Sequence, residues 1–131
     1  MSKPTLNAIH HVAIICSDYL ASKRFYSEIL GLQILAENYR AARDSWKLDL
    51  ALPNGNQIEL FSFPAPPKRP SQPEAQGLRH LAFVVEDVEA YAQYLAKHAV
   101  LVEPIRIDEY TGKRFTFFQD PDGLPLELYE A

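Results

Sequence analysis

The chain has 131 residues, 47% of them hydrophobic and 23% charged, which is the composition of one ordinary globular domain and excludes a long disordered or fibrous polymer. Its 17 acidic and 13 basic residues give a net charge of -4, so neither nucleic acid nor an anionic lipid surface is an expected partner. No apolar run approaches the ~20 residues of a membrane span, and residues 1–7 lack the charged-then-apolar pattern of a secretory signal, so an unprocessed cytoplasmic protein is expected.

In chain order, an apolar strand over about 9–16 ends at the polar pair Ser17-Asp18, a capping signal. A helix follows, with Ala21, Phe25 and Ile29 on one stripe. Three strands are expected at about 33–39, 46–52 and 57–63, with Asn54-Gly55 turning the last hairpin. Five prolines between 64 and 76 mark a linker. A second apolar strand (about 78–85) then ends at Glu86-Asp87, and a helix carries Val88, Tyr91 and Leu95 on one stripe. Three further strands are expected at about 100–107, 114–119 and 124–129, with a turn at Asp122-Gly123. Cys16, the single cysteine, sits at the end of the first apolar run and reads as a buried, inert thiol.

The two pieces, about 8–63 and 77–130, repeat one another. A shift of 69 residues lays His11-Val12-Ala13-Ile14 on His80-Leu81-Ala82-Phe83, and a shift of 68 lays Pro53-Asn54-Gly55 on Pro121-Asp122-Gly123 and Ile58-Glu59-Leu60 on Leu126-Glu127-Leu128. The expected fold is therefore α+β, two βαβββ modules in tandem within a single domain spanning 1–131. One helix covers only one face of a four-stranded sheet, so the remaining two faces are expected to pair around a metal-bearing cleft.

Alternation along the first strand sends His10 and His11 to opposite faces, and the repeat selects His11, since it superposes on His80. His10 is then expected at the surface, and His98 near a helix C-terminus. Each last strand sets a glutamate between apolar neighbours, Glu59 beside Phe61 and Phe63, Glu127 beside Tyr129. A carboxylate there is costly unless paired, hydrogen-bonded or bound to a metal. Any one of these residues alone reads as a hydrogen-bonded histidine or a solvated glutamate. Both pairs recurring at separations of 48 and 47 residues favour a divalent ion held by His11, Glu59, His80 and Glu127.

The runs His-Val-Ala-Ile, Phe-Tyr-Ser-Glu-Ile-Leu-Gly-Leu (25–32), Ile-Glu-Leu (58–60), Arg-His-Leu-Ala-Phe (79–83) and Asp-Pro-Asp-Gly-Leu-Pro-Leu-Glu-Leu (120–128) resemble the vicinal oxygen chelate superfamily of glyoxalase, bleomycin-resistance and extradiol-dioxygenase proteins. Within it, Ala-Arg-Asp-Ser-Trp-Lys (42–47), Ile-Glu-Leu-Phe-Ser-Phe-Pro (58–64) and Lys-Arg-Phe-Thr-Phe-Phe (113–118) are similar to the YaeR-type glyoxalase-related proteins. Carried over residue by residue, the resemblance places the family's metal ligands on His11, Glu59, His80 and Glu127.

A two-His, two-Glu set implies lyase or isomerase chemistry of the glyoxalase I kind. One divalent metal ion (nickel or zinc first, then cobalt, manganese or iron) would stabilise an ene-diolate while a carboxylate, Glu127 before Glu59, shuttles the proton. The resemblance also implies a small-molecule substrate and a homodimer. Two other readings remain open, a non-catalytic small-molecule binding protein and an Fe(II) extradiol-type dioxygenase. The glutathione-dependent members carry Arg and Asn where this chain has Ile15 and Phe63, so glutathione is not expected in its usual role. Arg43, Lys47, Lys113 and Arg114 are candidate anion contacts, and Trp46, Phe61, Phe117 and Tyr129 candidate pocket walls.

Overall fold

The computed structural model describes residues 2–131. The chain divides into two compact units, with the boundary between Pro66 and Pro67, and each holds a four-stranded sheet.

The first unit runs β1 (His11–Cys16), α1 (Tyr19–Arg24), β2 (Gln33–Arg40), β3 (Ser45–Ala51) and β4 (Gln57–Ser62), with sheet order β1-β4-β3-β2. The Asp18 carboxylate accepts from the Ala21 amide at 3.1 Å and caps α1 as expected. Beyond Arg24 the helix widens into a π-turn over Phe25–Ile29, where the Leu30 amide donates to the Phe25 carbonyl at 2.9 Å. The hydrophobic stripe continues through this wider turn, so Phe25 and Ile29 are both buried. Alternation is plain in the sheet. Ile14 and Cys16, Leu48 and Leu50, Ile58 and Leu60 are buried on the side packed against α1. His11, Lys47, Asp49, Glu59 and Phe61 occupy the other side, called here the open face. The Cys16 thiol is buried and donates to the Phe61 carbonyl, in keeping with an inert thiol.

The second unit runs β5 (Leu81–Val85), α2 (Val88–Lys97), β6 (Arg106–Ile107), β7 (Arg114–Gln119) and β8 (Pro125–Glu130), in the order β5-β8-β7-β6. Asp87 caps α2 by accepting from the Ala90 amide at 3.0 Å. Val88, Leu95, Phe118, Leu126 and Leu128 form this unit's core. In both units the outer first strand runs parallel to the last, so the two sheets share one topology and the βαβββ repeat is realised. Gly55 and Gly123 close the hairpins at φ +93° and +83°, backbone that a side chain would strain.

Three expectations need correction. The opening strands begin later than expected, at His11 and Leu81. The strand expected over 100–107 survives only as β6 and an isolated bridge from Val102 to Phe118. Pro104 lies between them and has no N–H for the ladder. Much of the proline-rich stretch is no bare tether either, because Arg69 donates to the Leu78 and Arg79 carbonyls and fastens the segment to the second unit.

Candidate functional site

Glu59 and Glu127 lie on β4 and β8, each an interior strand of its sheet. Their neighbours on the outer strands are Ala13 and Ala82, whose small side chains leave room for the histidine that precedes them on the same face. His11 thereby reaches Glu59 with Nδ1 3.5 Å from Oε2, and His80 reaches Glu127 with Nε2 3.1 Å from Oε1. Each unit thus assembles one His–Glu pair on its open face. Among the described residues, no group of three or more His, Cys, Asp or Glu side chains is drawn together as a ready metal site.

The donor chemistry nevertheless fits a divalent ion. Imidazole nitrogen and carboxylate oxygen suit zinc, nickel, cobalt, manganese or iron. Two such donors at 2.0–2.2 Å from one ion lie roughly 3.2 Å apart when they subtend about 100°, close to the separation found in both pairs. The Arg79 guanidinium lies 3.3 Å from His80 Nδ1 and can only donate there. With Nδ1 accepting from Arg79, a neutral His80 carries its proton on Nε2, 3.1 Å from Glu127, and ligation through Nε2 requires that tautomer to change and Arg79 to yield its contact.

The two acids are equivalent by topology but not by surroundings. Across from Glu59 on β3 stands Asp49, and the Lys47 ammonium bridges the two, 2.6 Å from Asp49 and 3.8 Å from Glu59. Across from Glu127 on β7 stands Phe117, with Tyr129 next along β8 and Phe115 opposite it. Glu127 is 9% exposed, with His80 as its polar neighbour at 3.1 Å.

His10 does not turn away from His11. It precedes the first residue of β1, so strand alternation does not govern it, and its Nδ1 lies 2.9 Å from that of His11. It is exposed, as expected. His98 caps the C-terminus of α2, with Nδ1 2.9 Å from the Tyr94 carbonyl.

Trp46 lies on the helix side of its sheet, stacked on Tyr19 at 5.4 Å, and is no wall of the open face. Arg114 pairs with Glu89 of α2, and Lys113 donates to the Ala131 carbonyl. Arg43 stacks over Phe63, and among the four candidate cations Lys47 is the one beside a His–Glu pair.

Sequence reasoning missed Arg69, Arg79 and Arg106, which line a cavity of about 260 Å³ with His80 and Phe117 in the second unit. Arg79, next to His80 in sequence, was the available signal. Arg69 lay hidden in the proline-rich stretch, and Arg106 in a strand that Pro104 shortens.

No helix among the described residues is long and apolar enough to cross a membrane. The profile of the Glyoxalase/Bleomycin resistance protein/Dioxygenase superfamily matches residues 8–128. YaeR of Escherichia coli (strain K12) is 63% identical over 95% of this chain and 97% of its own. The crystal structure of the glyoxalase family protein from Enterococcus faecalis superposes with a TM-score of 0.88 at 52% identity, covering 94% of this chain and 97% of that one. A 2-epi-5-epi-valiolone epimerase of Actinomyces sp is 32% identical over 95% of this chain and 80% of its own. With this family match over nearly its whole length, and two βαβββ units in tandem along the sequence, the chain belongs to the glyoxalase/bleomycin resistance protein/dioxygenase superfamily, which includes enzymes.

Proposed function

We propose that the protein is a divalent-metal-dependent lyase or isomerase of the glyoxalase I type, moving a proton between carbons next to a carbonyl in a small molecule. The observation that carries this reading is the His–Glu pair repeated at equivalent places on the two open faces, at 3.5 and 3.1 Å. In this reading His11, Glu59, His80 and Glu127 hold one ion, with nickel or zinc ahead of cobalt, manganese and iron. When bound, the ion supplies Lewis-acid stabilisation of the negative charge that builds on the substrate oxygens.

Glu127 is the proton carrier, taking the proton from one carbon and returning it to the neighbouring one. His80 orients its carboxylate, and Phe117 and Tyr129 limit the approach of water. Glu59, held between His11 and Lys47, stays in place as the fixed carboxylate. Ile15, on the open face of β1, and Phe63, stacked on Phe61, offer no polar group to the charged ends of glutathione. The substrate is therefore not held as a glutathione adduct in the usual way. Support for chemistry at a carbon centre comes from the relative named as an epimerase. Assembly as a homodimer is part of the same proposal and rests on the family resemblance.

The test is a screen of metal-loaded protein in deuterated water against hydroxy-ketones, 2-oxoaldehyde adducts and small 2-hydroxy and 2-oxo acids, read by proton NMR for exchange next to the carbonyl. Exchange that Glu127→Gln abolishes is expected. No exchange or turnover with any of them contradicts the proposal.

A further inference from the structure

The cavity beside His80 is bordered by three guanidiniums, those of Arg69, Arg79 and Arg106, and by two carboxylates, Glu74 and Glu103. Both acids are already engaged. Arg79 donates from Nε and Nη2 to Glu74 at 3.1 and 2.8 Å, and Arg106 Nη2 lies 3.3 Å from Glu103. Arg69 is held by neutral acceptors instead, its Nε on the Ser71 hydroxyl at 2.7 Å and its Nη2 on the carbonyls of Leu78 and Arg79 at 2.7 and 3.1 Å. These bonds fix the guanidinium in place without neutralising it. The cavity therefore carries one positive charge beyond what its own acids balance, before any charge on His80.

The Arg106 guanidinium carbon sits over Phe115 and Phe117, 4.9 and 5.8 Å from their centroids. The Phe117 ring also meets the His80 imidazole edge-on at 5.0 Å. A guanidinium and the imidazole thus share one aromatic wall, with Gln119 as a neutral polar group on the same lining. Guanidinium groups match the planar fork of a carboxylate, and a stacked, tethered one loses little freedom on binding it.

We infer that this cavity is a carboxylate subsite, accepting a small, singly charged 2-hydroxy or 2-oxo acid whose carboxylate meets Arg69 and Arg106 and whose neighbouring oxygen faces His80. The inference deepens the proposed function by naming its substrate class, and rests on that function only for the role of His80. One uncompensated cation balances a carboxylate and leaves a doubly charged phosphate in excess. A volume of about 260 Å³ holds a small acid and lies below the range typical of drug-sized ligands.

The test is an NMR titration of the whole protein, metal-free and metal-loaded, with lactate, with propane-1,2-diol as the uncharged analogue, and with inorganic phosphate. Saturable lactate binding is expected, with no binding of the diol. Arg69→Ala and Arg106→Gln should each weaken it about tenfold or more, the loss for a hydrogen bond to a charged group. Arg114→Ala, on the opposite side of that sheet, should leave it unchanged. Arg106→Gln keeps the test informative if Arg69→Ala disturbs the segment that Arg69 ties down.

Lactate binding that survives metal removal and is lost in the arginine variants supports the subsite even where the metal-dependent reaction fails. Equal binding of lactate and the diol, or unchanged affinity in both arginine variants, overturns it. Phosphate binding more tightly than lactate overturns the single-charge assignment.

Discussion

Glu127 stands directly across from Phe117 on neighbouring strands, and the same phenyl ring is met edge-on by His80, the partner of that glutamate. Acid, imidazole and aromatic ring form one packed group. In the first unit the equivalent acid, Glu59, stands across from Asp49 and shares Lys47 with it. From this asymmetry the two glutamates are expected to separate experimentally. Glu127→Gln should lower kcat by roughly 100-fold or more, the range for loss of a general base, while most of the bound metal remains. Glu59→Gln should act mainly by lowering metal occupancy. Turnover rates and metal content measured together on both variants check this, and equal effects on both quantities would remove the division of roles.

Lys47 bridges two carboxylates that face each other across β3 and β4, pairing closely with Asp49 and more distantly with Glu59. Its ammonium is only partly exposed, so Lys47→Met should destabilise the fold by about 1–2 kcal/mol, more than an exposed pair contributes. Adding Asp49→Asn should restore much of the loss. Urea denaturation of the single and double variants measures the coupling, and additive effects would show that the two side chains act independently.

On the helix side of the first sheet, the Lys23 ammonium and then the Tyr19 hydroxyl hydrogen-bond Glu37 and hold its carboxyl below the usual carboxylate range. A carboxyl lowered in the folded state adds stability above its unfolded pKa, and that stability is lost as pH falls through the folded value. Glu37→Gln should therefore cost about 0.5 kcal/mol near neutral pH and nothing in strong acid, a small figure because the pair is partly solvated. Thermal melts of both proteins across the acid range test the sign, and a difference that grows on acidification would reverse it.

Leu60 and Leu126 are fully buried on the interior strands β4 and β8, in the cores beneath the two acids. Truncation of either to Ala should destabilise by about 2–5 kcal/mol. Loss of His–Glu function in these variants should follow unfolding rather than precede it, as circular dichroism and activity measured on the same samples will show.

Much of this architecture was legible because it is periodic. Alternating burial in β3 and β4, the Asp18 and Asp87 caps and the two Gly turns are local rules, and the repeat of His11 and Glu59 in His80 and Glu127 reports a shared topology. What escaped depends on less regular backbone or on distant partners. The π-turn at Phe25–Ile29 keeps the same apolar stripe as an α-helix and leaves no separate sequence signal. His10 lies one residue outside the strand whose alternation was applied to it. Trp46 reads as a pocket aromatic by composition, yet strand parity sends it to the helix side with Tyr19. Arg69 reaches carbonyls nine and ten residues away, a contact that no spacing rule anticipates.

The central claim is that the two His–Glu pairs serve one metal ion. Elemental analysis of protein purified without chelator, as wild type and as the double variant His11→Ala, His80→Ala, tests it most directly. The account predicts about one divalent ion per four-ligand set in wild type and none in the variant. Wild type that stays metal-free after incubation with nickel, zinc, cobalt, manganese and iron, or a variant that keeps its metal, would contradict it.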